Sequence, residues 1–192
     1  MDNVNRYLDF VHAKIFTVEE QLDVIAAAAS ITADRIIGGG TLYGYGDEEG
    51  FESELCSRSG GLMGIQRISE SDEVGQGDAV IASTQGHDVS AQTERLNSYR
   101  ENGAYVVLIG GDETALRLSA DAFISTGLPV GTAPVIPYKG RLTCPTAGVI
   151  DITAMWVFVL EYTSACIRRG KMPVFWKSVC VPAGMGWIEK YA

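Results

Sequence analysis

The segment Ala79-Val80-Ile81-Ala82-Ser83-Thr84-Gln85-Gly86-His87-Asp88-Val89-Ser90 constrains the fold more than any other stretch of the chain. Its first five residues are apolar enough to be buried on both faces, as strands of parallel sheets in α/β proteins are. The run stops at small hydroxyl residues and a glycine, and a helical pattern follows over 89–101. In an open parallel sheet, ligands sit where a strand's carboxyl end meets a helix N-terminus. A second element of this kind, Gly40-Thr41-Leu42-Tyr43-Gly44-Tyr45-Gly46, lies upstream. Two such elements predict one site between them.

Taken in order, residues 3–37 read as one or two helices, with Tyr7, Val11, Ile15, Val18, Leu22, Ile25, Ala29 and Ile36 at helical spacing. Strands are predicted over 41–45, 62–68, 78–83, 105–109 and 122–125, and helices over 47–56, 89–101 and 112–118. Four of the six prolines fall in 126–146, which reads as a long loop. A strongly apolar helix follows over 149–169, then a strand or extended tail over 175–181. Strands that alternate with helices imply right-handed crossovers and a doubly wound parallel sheet. With no repeat and no linker composition, 1–192 reads as a single domain.

The net charge of −9 leaves no basic stripe to displace counterions from a nucleic-acid backbone or to hold an anionic membrane. The stretch 147–167 contains Asp151, Glu161 and several hydroxyl residues, which suits a helix buried in protein better than a membrane span. Four scattered cysteines with no CxxC pair argue against structural zinc. Together with an N-terminus that lacks a signal-like apolar core, they predict a reducing cytoplasm. No metal or other cofactor is expected.

The glycine-rich turn Gly44-x-Gly46-x-x-x-Gly50 is one residue longer than a dinucleotide fingerprint, and Asp47, Glu48 and Glu49 would repel a pyrophosphate there. In the second loop, Ser83, Thr84 and Gln85 offer polar groups and Gly86 allows close backbone approach. Asp88 or Ser90 serves either the ligand or only the N-cap of the next helix. His87 lies in this loop and suits proton transfer near neutrality, whereas His12 reads as a packing residue of the first helix. Glu52 and Glu54 are the carboxylate candidates, with Glu54 at the crevice rim because Phe51 and Leu55 take the buried face. Cys56 and Cys144 have no neighbouring histidine to activate them. Trp156, Phe158 and Tyr162 belong to the core or to a subunit interface, and so apolar a helix predicts a homodimer.

Several stretches in fixed order resemble the sugar isomerase (SIS) domain family over about residues 30–185. They are Leu42-Tyr43-Gly44, then Phe51-Glu-Ser-Glu-Leu-Cys-Ser-Arg-Ser-Gly-Gly-Leu and Ser83-Thr-Gln-Gly. Asn102-Gly-Ala-Tyr-Val-Val-Leu-Ile, Ile124-Ser-Thr-Gly-Leu-Pro-Val-Gly-Thr-Ala and Arg169-Gly-Lys-Met-Pro-Val-Phe-Trp-Lys-Ser complete the set. Together they look like a bacterial branch labelled phosphoheptose isomerase. The resemblance implies a three-layer αβα sandwich with a five-stranded parallel sheet, of flavodoxin-like topology. It also implies a phosphosugar site shared by two subunits, and aldose–ketose isomerisation by a glutamate and a histidine.

Glu54 and Arg58 match the family's acid and arginine, and His87 is the one histidine placed to join them. Gly44, Tyr45, Gly46, Arg58, Ser83, Thr84, Gln85, Gly86, Asp88 and Ser90 are then the ligand-binding candidates. The chain departs from the family in three places. The last helix has no histidine, Gln85 replaces a serine, and Asp88 stands where a hydroxyl is usual. Arg58, Lys139 or Arg141 would have to offset the acidic loops for a phosphate to bind. A sugar isomerase and a non-catalytic sugar-binding or regulatory module both remain open.

Overall fold

The computed structural model describes residues 2–69, 72–85 and 88–191. Its centre is a five-stranded sheet in which every pairing is parallel. The strands are β1 (Leu42–Tyr45), β2 (Ile65–Arg67), β3 (Ala79–Ser83), β4 (Tyr105–Asp112) and β5 (Ala122–Pro129), in the spatial order β2-β1-β3-β4-β5. This is the flavodoxin-like order, and its switch point lies between β1 and β3. Leu42 pairs with Ala79 there, and β3 is buried along its whole length.

Alternation along the strands sends side chains into two cores. One face carries Leu42, Ile81, Val107, Ile109 and Ile124, covered by α1 (Asp2–Glu19), α2 (Leu22–Ile37), α3 (Phe51–Ser57) and α6 (Ala147–Arg168). The other carries Tyr43, Val80, Ala82, Val106 and Leu108, covered by α4 (Val89–Glu101) and α5 (Thr114–Leu118). The result is the three-layer αβα sandwich. Helix α6 has the length and hydropathy to cross a membrane by composition alone. In this fold Ile150, Ala154, Met155, Phe158 and Val159 bury one side of it against the sheet and α2.

Three expectations need correction. Residues 126–146 are not a loop: β5 continues to Pro129, and β6 (Pro134–Tyr138) and β7 (Arg141–Pro145) form an antiparallel hairpin. Its turn, Lys139-Gly140, has positive φ at both residues, 47° and 78°, as a two-residue hairpin turn requires. The second strand is shorter than 62–68, beginning only at Ile65, because Leu62 instead bridges antiparallel to Phe175. After that bridge the chain ends in a helix, α7 (Gly184–Tyr191), whose Trp187 indole donates to the Phe175 carbonyl at 2.9 Å. His12, expected in packing, is exposed on α1.

Candidate functional site

A cleft of about 790 Å³ opens at the carboxyl edge of the sheet, beside the switch point. One wall is the β1–α3 turn, with Asp47, Gly50, Phe51 and Glu54; Gln85 comes from the end of β3. Thr132 and Pro145, at the root of the hairpin, and the first two turns of α6 complete it. Each of these segments follows a strand or opens a helix, so the site is built from the ends of rigid elements.

Glu54 is the best-anchored carboxylate on this wall. One oxygen accepts from Arg58 Nε at 2.7 Å, one turn along α3, and the other accepts from Trp156 Nε1 of α6 at 3.3 Å. Its side chain is 17% exposed against 62% for Arg58, so the glutamate is the inner member of the pair. Glu52 turns elsewhere, 3.6 Å from Arg67, and does not line the cleft. Asp47 caps α3 by accepting from the Phe51 amide at 3.0 Å. The acids read as a repulsive turn are therefore in part the local cap.

The other ligand-binding candidates are not brought together. Gly44 is a packing glycine: a Cβ there would stand 2.6 Å from Cys56 Sγ. Burial pushes that thiol up to about 12, so it stays protonated. Gly46 lies tight between Phe51 and Ser83. The Tyr45 ring points to the opposite face of the sheet, edge-on to Tyr99 at 6.3 Å and beneath the Arg95 guanidinium. Ser83 and Thr84 are buried, and their hydroxyls accept from the amides of Gln85 at 3.0 Å and Gly111 at 2.8 Å. Asp88 is the N-cap of α4, accepting from Ser90 N at 3.0 Å and Ala91 N at 3.1 Å. Of this loop's described residues, Gln85 alone lines the cleft, with its amide donating to the Gly131 carbonyl at 3.0 Å. Gly86 and His87 lie outside the described residues. Lys139 and Arg141 are at the exposed hairpin tip and do not line the cleft.

Asp151 and Trp156 were missed as site residues. Asp151 lies in the second turn of α6, is 1% exposed, and neither carboxyl oxygen has a hydrogen-bond partner among the described residues. Burial pushes this carboxyl up to about 7 and Asp47 adds to the rise. The Gln85 and Thr126 side chains pull it back, though neither reaches hydrogen-bonding geometry. The available signal was an acid among the apolar residues of the first two turns of this helix, a position that costs stability when the group is buried.

No protein-family model matches the chain, and no curated protein does. Among solved structures it is similar to the hypothetical protein MJ1247 of Methanococcus jannaschii, for which a 3-hexulose-6-phosphate isomerase function has been inferred. The two are 14% identical with a TM-score of 0.50, covering 85% of this chain and 91% of that one. A second hypothetical protein is 9% identical with a TM-score of 0.46, over 90% of this chain and 93% of its own. The likeness to MJ1247 shows a common fold, with five parallel strands in flavodoxin-like order between helical layers.

Proposed function

We propose that the cleft binds a sugar derivative and interconverts its aldose and ketose forms, with Glu54 as the base. The supporting observation is the anchoring of Glu54: two donors, on α3 and α6, fix a carboxylate on the wall of a cleft at the sheet's switch point. In the reaction Glu54 removes the proton from C2 of the aldose, giving an enediolate with its negative charge on O1. It then returns a proton to C1, while the hydroxyl proton on O2 passes to O1. Bonds and protons balance with no oxidant or reductant. MJ1247, which shares the fold, carries an inferred isomerase function, and that agrees with this reading.

Glu54→Gln keeps the side-chain shape and one acceptor oxygen, enough for either Arg58 or Trp156, and removes the base. It should lower turnover of the responsive sugar by roughly 10²–10⁴-fold, the usual contribution of a general base, and leave binding within about threefold. Equal turnover in the variant would refute the assignment. A binding module without turnover is the second reading, favoured by the absence of histidine from α6 and α7. Sugar binding with no isomerisation by the intact protein would select it.

The same proposal includes a homodimer. Val149, Leu160 and Ile167 are exposed on α6 at spacings that return to one side of the helix. Sedimentation as a monomer at micromolar concentration would remove that part.

A further inference from the structure

Helix α6 enters the cleft with its first turn unfilled. Its N-cap, Thr146, makes no side-chain cap; the hydroxyl donates instead to the Ala133 carbonyl at 2.8 Å. The Ala147 amide reaches the Thr132 carbonyl at 3.4 Å and the Ile150 amide reaches the Thr146 carbonyl at 3.2 Å. The amides of Gly148 and Val149, between them, have no acceptor among the described residues, and both residues are exposed and line the cleft. A Cβ added at Gly148 would meet nothing within 4 Å. Free amides at the positive end of a 22-residue helix form a donor pair for oxygen that carries, or develops, negative charge.

A second feature of the cleft points to a ligand. Asp151 lies one turn deeper in α6 and lines the same cleft, 1% exposed and with both oxygens unpartnered among the described residues. A carboxyl with no protein partner in the wall of such a cleft is a polar group available to a ligand. Among the described residues that line the cleft there is no lysine or arginine to meet a phosphate dianion. Arg58 is already bound to Glu54, and the start of α4 is occupied by Asp88.

We propose that the Gly148 and Val149 amides hold the carbonyl oxygen of an unphosphorylated sugar and stabilise the enediolate oxygen formed when Glu54 removes the neighbouring proton. This rests on the isomerase reading above and adds to it the electrophilic half of the site and the class of sugar. An oxyanion of this kind carries less charge than a phosphate dianion, which suits a site whose described donors are two amides. Asp151 fits the same role as a positioning residue. Burial, reinforced by Asp47, raises its carboxyl to about 7, so a large share of it is protonated near neutrality where an ordinary aspartate is fully ionised. Gln85 and Thr126 oppose that, and Glu54, the other acid on the wall, is paired with Arg58 behind it. Protonated, Asp151 leaves the helix dipole intact; ionised, it would cancel part of it.

The test compares an aldonohydroxamate, which presents enediolate-like oxygens, with the alditol of the same carbon skeleton, which has no carbonyl. Both are titrated calorimetrically into the intact protein and into Gly148→Asp, whose added carboxylate would occupy the free amides. Hydroxamate affinity should fall about a hundredfold, the cost of losing an oxyanion donor, with alditol affinity changed less than about threefold. Equal weakening of both ligands, or of neither, would overturn the proposal while the Glu54→Gln result stands by itself. Tighter binding of a 6-phosphosugar than of its free counterpart would also overturn it, leaving the isomerase reading in place. If the intact protein neither binds nor isomerises any of these sugars, the isomerase reading fails and this proposal with it.

Discussion

The starts of α4 and α6 lie at the same carboxyl edge of the sheet, yet they are finished in opposite ways. At α4 the chain spends a carboxylate, Asp88, on the first-turn amides of Ser90 and Ala91. At α6 the N-cap threonine turns away to hold Ala133, and the amides of Gly148 and Val149 stay open. A capped helix start contributes about 1 kcal/mol to stability and offers a ligand nothing. An uncapped one forgoes that and keeps donors for something else. The strand-to-helix junction that looked most like a ligand loop in the sequence is thus the one closed by its own side chains. The open junction lies behind a hairpin and opens with glycine and valine.

The largest effect that would sharpen this contrast concerns Asp151. Its carboxyl is raised in the folded protein from the ordinary 3.8 to about 7. The stability this group contributes is therefore complete below about pH 4 and is lost as pH rises through about 7. Above that, the folded protein carries a buried ionised carboxylate. Asp151→Asn does not titrate, so its stability relative to the intact protein should grow by at most about 4 kcal/mol between pH 4 and pH 8, at about 1.36 kcal/mol per tenfold change in proton affinity. Denaturant melts across that range measure it, and a pH-independent difference would show that Asp151 is no more strained than an exposed acid.

The closed junction gives the next effect. Thr84 Oγ1 accepts from the Gly111 amide, beside Gly110, whose φ of 140° suits glycine. A Cβ on Gly110 would fall 2.1 Å from that hydroxyl, so the two backbones meet through it. Thr84→Val keeps the shape and strands the amide, which should cost about 1–3 kcal/mol. A smaller loss in urea denaturation would mean that the hydroxyl is not committed to the fold and is free for a ligand after all.

How legible each region was depends on how local its signal is. The sheet was legible because β3 and β4 are short apolar runs, and helix 89–101 was read at the boundaries α4 has. The hairpin was not, because Pro134, Pro137 and Pro145 mimic a loop, and Lys139-Gly140 lacks the Asn-Gly or Asp-Gly signature of a two-residue turn. Proline survives there because a two-stranded ribbon has free edges. At the site, Glu54 was legible from its place between Phe51 and Leu55, but its second donor, Trp156, lies 102 residues away. Asp151 carried a signal of composition only. Its meaning appears when β1, the end of β3 and α6 converge, which no local window contains.

Two smaller predictions bear on the helix starts themselves. Asp88→Ala removes the α4 cap and should cost about 1 kcal/mol, a fall of roughly 2–4 °C in Tm for a chain of this size. Gly148→Asp should do the reverse. The first turn of α6 has no acid, so an aspartate there meets two free amides and the positive end of the dipole. The gain should be about 0.3–1 kcal/mol, or roughly 1–4 °C. The sign carries the meaning: a substitution that raises Tm and weakens an oxyanion-mimicking ligand has filled a vacant donor pair. One that lowers Tm would show that the helix start does not accept a carboxylate, and would overturn the assignment of an open donor pair. Thermal melts of the two variants side by side, in the absence of any sugar, decide whether α6 is the junction left open.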